Sequence, residues 1–393
     1  MTTKLLLTGA TGYIGGTVLT RLRESTIPDI KALSITVLVR KPEQAAVFEG
    51  LGIPAIVGTL DDAEVLRAAA AAHDIVLHTA GATHQASIAP LLAGLAERRH
   101  QAASEEASSS STHLIHTAGA TMLSDYPITS RFRDDEDGGD SAAAAAARVF
   151  SDKHDDDIYE RRTPYVVRTV ALAAVDGGEA AGVGTCVVVP PRVYGRGTGL
   201  FNTRSQQIPL LIGGAVAGGG GDKVAEYVGS REGVWDDVHV VDLAALYESL
   251  LGRILKTRTT TNTDPAKGNS LPTGRRGIYF TATGIRHSWK EVAESIGRAG
   301  YQAGLLDSVE PRSLTLSEAA GKYLGGNETY TELGLASNSL ASADLAKDLG
   351  WVVTKTESDF QQGIVEEVES IKSGNVSQHN LAEVLANQAK AMK

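Results

Sequence analysis

KLLLTGATGYIGG, from Lys4 to Gly16, is the stretch whose reading decides the fold. Leu5, Leu6 and Leu7 make a short apolar strand. Gly9, Gly12 and Gly15 follow in a G-x-x-G-x-x-G spacing, and Ile14, Val18, Leu19 and Leu22 then recur at helical intervals. The first glycine permits a tight turn, the second lets the backbone approach a diphosphate, and the third lets the helix pack close to the sheet. The free N–H groups and the positive dipole end of the helix then face an anion. The spacing departs from G-x-G-x-x-G, but the mechanics carry over. The competing reading is a glycine turn with no ligand, and the strand before it and the helix behind it weigh against that.

Working outward, apolar strands and helical patterns alternate. SITVLVR (34–40) reads as a buried β-branched strand and Pro42–Glu49 as a short helix with proline in its first turn. IPAIVG (53–58), DIVLHTAG (74–81) and THLIHTAG (112–119) read as further strands, with helices near 61–72, capped by Asp61, and 87–99 between them. Such alternation predicts an α/β protein with a Rossmann-type, doubly wound parallel sheet. HTAG ends two of these strands, at His78–Gly81 and His116–Gly119, where small residues leave room for a ligand at the carboxyl rim; chance similarity is the alternative.

Farther along, Tyr159–Ala181 is expected to be one long helix with Pro164 in its first turn or breaking it. GTCVVVPPRVYGRG (184–197) reads as a strand ending in a proline-kinked loop. GGAVAGGGG (213–221) reads as a flexible loop, and Val238–Leu255 as a strand then a helix capped by Asp242. GIYFTAT (277–283) is another strand. Arg133–Ala147 is acidic, then alanine-rich, and its acidic part reads as a solvated loop, with a cation site as the alternative. The expected organisation is a dinucleotide-binding domain over 1–197, rejoined by 236–256 and the strand near 277–283. A smaller C-terminal α/β substrate-binding cap takes most of 198–393.

Composition bounds the function. The 393 residues are 42% hydrophobic, enough to bury a core. A net charge of −10 disfavours nucleic acid or an anionic membrane as partner. The single cysteine, Cys186, forms no intrachain disulfide, fits a reducing compartment, and reads as a small buried hydrophobe. No signal peptide is expected before a glycine strand that starts at once, and no apolar run has the length of a membrane span. The expectation is a cytoplasmic protein with a small-molecule substrate and no metal; a homodimer is left open.

TGATGYIGG, VLHTAG, LIHTAGAT, VVVPPRVYGRG and VHVVDLA, in this order, resemble the extended short-chain dehydrogenase/reductases, in particular the NAD-dependent epimerase/dehydratase group and its atypical, NmrA-like members. The resemblance covers about Lys4 to Leu255, and LASNSLASADLAKDLGW (335–351) is similar to the end of that family's substrate domain. It implies that Gly9, Thr11, Gly12, Tyr13, Ile14 and Gly15 hold a pyrophosphate. It implies also that Leu60 and Asp61 flank an adenine, that Thr79, Ala80 and Gly81 line a ribose, and that Pro190, Pro191 and Val193 abut a carboxamide. Arg40 ends the second strand, with Lys41 after it, where an NAD-preferring site carries an acidic residue. A guanidinium there suits a 2′-phosphate, which favours NADP over NAD; a solvated arginine is the alternative.

The family's catalytic pair, Tyr-x-x-x-Lys, is missing: Tyr126, Tyr159 and Tyr165 are followed four positions later by Ser130, Thr163 and Thr169. Tyr159, with Arg162 nearby, lies about where the family tyrosine falls, and Thr117, with Thr121 as substitute, takes the place of the catalytic Ser/Thr. Each has a structural alternative, an amphipathic helix residue or a strand-end hydroxyl. His78, His116 and His239 read as packing residues, with a catalytic histidine as backup. Ser205–Pro209, Tyr194 and Trp235 are expected to border a substrate pocket, with the core as the alternative for Tyr194 and Trp235. Three functions follow: an NADP-dependent oxidoreductase of a small carbonyl or alcohol; a redox-neutral isomerase, dehydratase or cyclase; and an NmrA-like dinucleotide-binding regulator. Fold alone does not choose among them.

Overall fold

The computed structural model describes residues 2–104, 111–129, 148–154, 157–160, 165–218, 221–229, 233–259 and 271–374. The acidic stretch 133–147 lies outside them. The chain opens with β1 (Lys4–Thr8), α1 (Tyr13–Arg23), α2 (Pro28–Lys31), β2 (Ser34–Val39), α3 (Pro42–Gly50), β3 (Ala55–Val57), α4 (Ala63–Ala71), β4 (Ile75–His78), α5 (Ile88–Ser104) and β5 (His113–Thr117). Next come β6 (Val149–Ser151), α6 (Asp157–Glu160), α7 (Val166–Ala181), β7 (Gly184–Val189), β8 (Arg192–Tyr194), α8 (Gln207–Ala217), β9 (Glu226–Val228), β10 (Val234–His239) and α9 (Val240–Thr259). The chain continues through β11 (Ile278–Phe280), β12 (Arg286–Ser288), α10 (Trp289–Gln302), β13 (Arg312–Leu314), α11 (Leu316–Tyr323), α12 (Glu328–Leu335), β14 (Leu340–Ser342), α13 (Asp344–Asp348) and α14 (Glu357–Lys372).

Seven strands form one parallel sheet in the order β11-β7-β5-β4-β1-β2-β3. The reversal of order at β1 opens a crevice at the carboxyl ends, the usual ligand position in such sheets. Both faces are covered, so the central strands are apolar throughout rather than alternating. Leu5 and Leu7 of β1 face one helical layer, with Val18 and Leu22 of α1 and Leu243 and Leu250 of α9. Leu6 faces the other, with Leu66 of α4, Leu91 and Leu95 of α5, and Val170 and Ala174 of α7. Gly94 lets α5 approach α4, since a Cβ there would lie 2.2 Å from the Arg67 carbonyl oxygen.

The remaining strands make three small sheets: β12-β10-β8, β13-β9 and β14-β6. Their helices carry strong start signals. Ser288 and Glu291 close a capping box on α10, and Thr315 and Glu318 close one on α11. A buried charge network ties α14 to β8, β10 and β12. Arg192 grips Asp237 through Nε at 2.6 Å and Nη2 at 2.9 Å, both side chains fully buried. His287 Nδ1 lies 2.8 Å from Asp237 Oδ2, and Nε2 lies 3.0 Å from Glu357 Oε1. The His287 ring also stacks on Phe360 of α14 with centroids 4.0 Å apart.

Two local expectations are corrected. Gly213–Ala217 is not loop but the last turn of α8, where Ile208, Leu211, Ile212 and Ala215 supply a buried stripe that outweighs glycine's low helix propensity. Asp242 does not cap α9. It sits inside the first turn, and its carboxylate accepts from the Thr354 and Lys355 amides and the Thr354 hydroxyl, anchoring the approach to α14. Over the stretch expected from Tyr159 the structure describes α6 and α7, and Pro164, expected in a first turn or as a break, lies outside the described residues. Among the described residues no helix is long and apolar enough to cross a membrane, and no three His, Cys, Asp or Glu side chains could hold a metal ion.

Candidate functional site

The turn between β1 and α1 is a bare-backbone cradle. Gly9 has φ +85°, and a Cβ on it would lie 2.5 Å from Thr79 Oγ1 and 2.9 Å from the Ala80 amide nitrogen. A Cβ on Gly15 would lie 2.3 Å from the Gly9 carbonyl oxygen. Gly12 occupies the cap position of α1, and its amide donates to the Gly9 carbonyl at 2.8 Å. No side chain caps the helix, so the amides of Tyr13, Ile14 and Gly15 have no intrahelical acceptor. Unsatisfied amides, the helix dipole and a surface stripped of side chains fit a diphosphate.

The strand ends complete the rim. Thr79 donates to the Thr8 carbonyl at 2.7 Å, and Thr79 and Ala80 are half-buried beside the exposed Gly81. Gly81 has φ +86°, and a Cβ there would lie 3.0 Å from Leu60 Cδ1, so the structure brings Leu60 and Gly81 together. Asp61 is exposed and meets His84 Nε2 at 3.0 Å; the cap position of α4 is Asp62, not Asp61. Arg40 and Lys41 lie exposed where β2 meets α3, and Arg40 makes no ion pair among the described residues.

The buried Tyr13 hydroxyl donates to the Tyr194 and Gly195 carbonyls at 2.8 and 2.6 Å. Burial foremost, then the nearby Glu367, raises its pKa well above the ordinary tyrosine value. With its hydroxyl held by two carbonyls, Tyr13 offers its amide as the donor at the helix start. Pro190 meets the 3-10 turn Ala120–Leu123, its carbonyl accepting from the Ala120 amide at 2.9 Å. Val193 sits half-buried in β8, paired with Val238.

The expected catalytic hydroxyls do not converge. Thr117 points into the α9 layer and shares a buried 2.6 Å hydrogen bond with the Tyr247 hydroxyl. Burial pushes the Tyr247 phenol above its ordinary value, so this pair offers no ready acid. Tyr159 is buried, donates to Asp176 and lies under the Arg275 guanidinium, 4.5 Å from its ring centroid. Asp176 is eleven residues beyond Tyr165, about 16 Å down α7 from the helix start. Thr117 and Tyr159 thus each already have a side-chain partner for their hydroxyl. Thr121, half-buried on the 3-10 turn, is the one expected hydroxyl left at the rim.

The tyrosine that the fold brings to this rim is Tyr165, at the cap of α7. Its hydroxyl donates to the Ser124 carbonyl at 3.1 Å, immediately after the 3-10 turn that carries Thr121. The Arg168 guanidinium lies 4.6 Å from its ring centroid. One helical turn places residues i and i+3 side by side, so the missed signal was Tyr-x-x-Arg where Tyr-x-x-x-Lys was sought. Val167, two positions after Tyr165, lies against Gly119, with a Cβ on that glycine falling 3.8 Å from Val167 Cγ1.

The histidines are structural. His78 bonds Thr8 Oγ1 at 2.6 Å and Ser87 Oγ at 3.1 Å and stacks on His116. Burial pulls both rings down, His116 to about 4. His239 accepts the Val241 amide at 3.1 Å and packs edge-on against Tyr194. Tyr194 and Trp235 belong to the core, Trp235 donating to the Ser337 carbonyl at 3.0 Å.

Comparisons with known proteins agree with this geometry. The family model for NAD(P)H-binding domains matches residues 9–155. The chain is 32% identical to "Oxidase ucsJ" of Acremonium sp over 324 residues, which cover 81% of this chain and 85% of the relative. An uncharacterized protein of Schizosaccharomyces pombe is 26% identical over 62% of this chain and 69% of its own length. Among solved structures, a dTDP-glucose 4,6-dehydratase from Streptomyces venezuelae with NAD bound superposes with a TM-score of 0.58 at 16% identity, over 97% of this chain and 99% of that one. A UDP-glucose 4-epimerase from Thermus thermophilus in complex with NAD does so with a TM-score of 0.54 at 17% identity, over 94% and 99%. The glycine cradle, the seven-stranded parallel sheet and these likenesses converge: the chain belongs to the same family as the oxidase-named relative, carries an NAD(P)H-binding domain on an oxidoreductase-type scaffold, and shares its fold with the NAD-bound epimerase and dehydratase structures.

Proposed function

We propose that this chain is an NADP-dependent oxidoreductase acting on a small carbonyl or alcohol. The observation that carries the reading is the side-chain-free cradle of Gly9, Gly12 and Gly15 beside the exposed Arg40–Lys41 pair. The amides of Tyr13, Ile14 and Gly15 would hold the diphosphate, Leu60 and Gly81 the adenosine end, and Arg40 a 2′-phosphate. A bound nicotinamide would supply the hydride chemistry. The protein's share is then to orient the substrate oxygen and move one proton. Thr121 would accept or donate a hydrogen bond at that oxygen, and Tyr165, with the Arg168 cation against its ring, would be the proton donor. The oxidase-named relative supports a redox reaction.

The test is direct. NADPH should bind more tightly than NADH in calorimetry, and a panel of small aldehydes and ketones should contain a compound that oxidises NADPH. Tight dinucleotide binding with no oxidation across the panel would reject the catalytic part. A second reading, a dinucleotide-sensing regulator, is favoured by one observation: Tyr165 is only 5% exposed.

A further inference from the structure

The loop after β8, residues 195–204, lies as a strap across the start of α1. On one side it is sewn to the glycine cradle. The Asn202 amide donates to the Thr11 carbonyl at 3.3 Å, and the Thr198 amide donates to Thr17 Oγ1 at 3.2 Å. The Thr20 hydroxyl donates to the Thr198 carbonyl at 2.9 Å. Gly199 rests directly on Gly16, whose Cβ, if present, would lie 3.0 Å from the Gly199 Cα. At the tip, Phe201 packs on Phe48 of α3 with ring centroids 5.5 Å apart, and Leu200 is 53% exposed. On the other side the strap ends at Arg204, which grips Glu367 of α14 through Nε at 2.9 Å and Nη2 at 2.5 Å. Those side chains are only 13% and 9% exposed.

We propose that Arg204 and Glu367 are a positioning pair, a latch by which α14 holds the strap against the glycine cradle and sets the rate at which a bound dinucleotide leaves. This rests on the dinucleotide reading above. The bonds on the cradle side are single amide and hydroxyl contacts, two of them longer than 3.1 Å. The bond on the α14 side is a charged fork, shielded from water, and losing one partner leaves the other charge stranded. The strap therefore opens from its weaker side only as far as the latch allows. Because Asn202 shares the Thr11 carbonyl of the same turn, strap position and turn geometry move together. Removing one charge of such a pair acts mainly on dissociation.

The experiment uses the full chain, with NADPH and NADH as probes, and follows release by stopped-flow fluorescence. Glu367→Gln should raise the release rate by about tenfold while changing association little. Arg204→Lys, which keeps the charge and loses the fork, should give an intermediate rate and stands in should the first variant fail to fold. The exchange Arg204→Glu with Glu367→Arg should restore slow release. Glu226→Gln, which breaks the separate Glu226–Arg312 pair, should lower the melting temperature and leave release unchanged. Release from folded Glu367→Gln or Arg204→Lys at the wild-type rate overturns the latch alone. Wild-type protein that binds neither coenzyme overturns the dinucleotide reading and the latch with it.

Discussion

The two halves of the crevice rim are built differently. At the β1–α1 turn the working surface is backbone: three glycines, uncapped amides and a helix dipole. At the β5–α7 side it is side chains, and most hydroxyls there already serve the fold. Thr117 is spent on Tyr247 and Tyr159 on Asp176. A cradle made by the absence of side chains needs only glycine at the right spacing. A proton donor needs a particular hydroxyl aimed at a particular point, and aim is set by packing.

The largest effect should come from filling the cradle. Gly15→Val places carbon within 2.3 Å of the Gly9 carbonyl oxygen and the Thr79 hydroxyl, and should weaken coenzyme binding by about 100-fold or more. Calorimetry measuring wild-type affinity in that variant would break the contrast at its stronger end. Next comes the hydroxyl side. Tyr165→Phe should lower kcat by about 100-fold with the coenzyme Kd unchanged. Thr117→Val and Tyr159→Phe should instead cost about 1 kcal/mol each in urea unfolding and leave kcat within about twofold. If Thr117→Val abolishes turnover in folded protein, the assignment of that hydroxyl to the fold is wrong. A smaller effect belongs to coenzyme choice: Arg40→Ala should reduce the preference for NADPH over NADH by about tenfold, read as the ratio of Kd values.

The smallest expected effect is a pH dependence of the packed half. Burial lowers the His287 pKa, but its hydrogen bonds and charge interactions with Asp237 and Glu357 outweigh that, and the net shift is upward. A histidine raised in the folded state stabilises fully below its unfolded value near 6.5. That contribution is lost as pH rises through the folded value. Melting temperature should fall slightly from pH 6 upward in wild type and flatten in His287→Gln. A slope that the substitution leaves unchanged would detach α14 docking from this charge network.

Much of the scaffold was legible from local pattern. The apolar strands, the proline-started α3 and the parallel sheet were readable because β1, β4 and β5 are buried on both faces and bounded by glycine or polar rims. Misreadings arose where long-range partners overrule local preference. Gly213 and Gly214 look like loop, yet α8 holds them through its apolar stripe. Asp242 looks like a cap, yet it serves amides more than a hundred residues away. Tyr165 was passed over because the search demanded lysine one position beyond Arg168.

By itself, the sequence determined the alternation of strand and helix, the glycine cradle and the class of molecule it fits. These are properties of neighbouring residues: periodicity, turn stereochemistry, and amides left open at a helix start. Only the tertiary structure decided which hydroxyls reach the rim, how Arg192, Asp237 and His287 tie in the last helix, and that the strap after β8 bridges α1 and α14. Those depend on where packing aims side chains far apart in the chain, and spacing along a sequence does not encode aim.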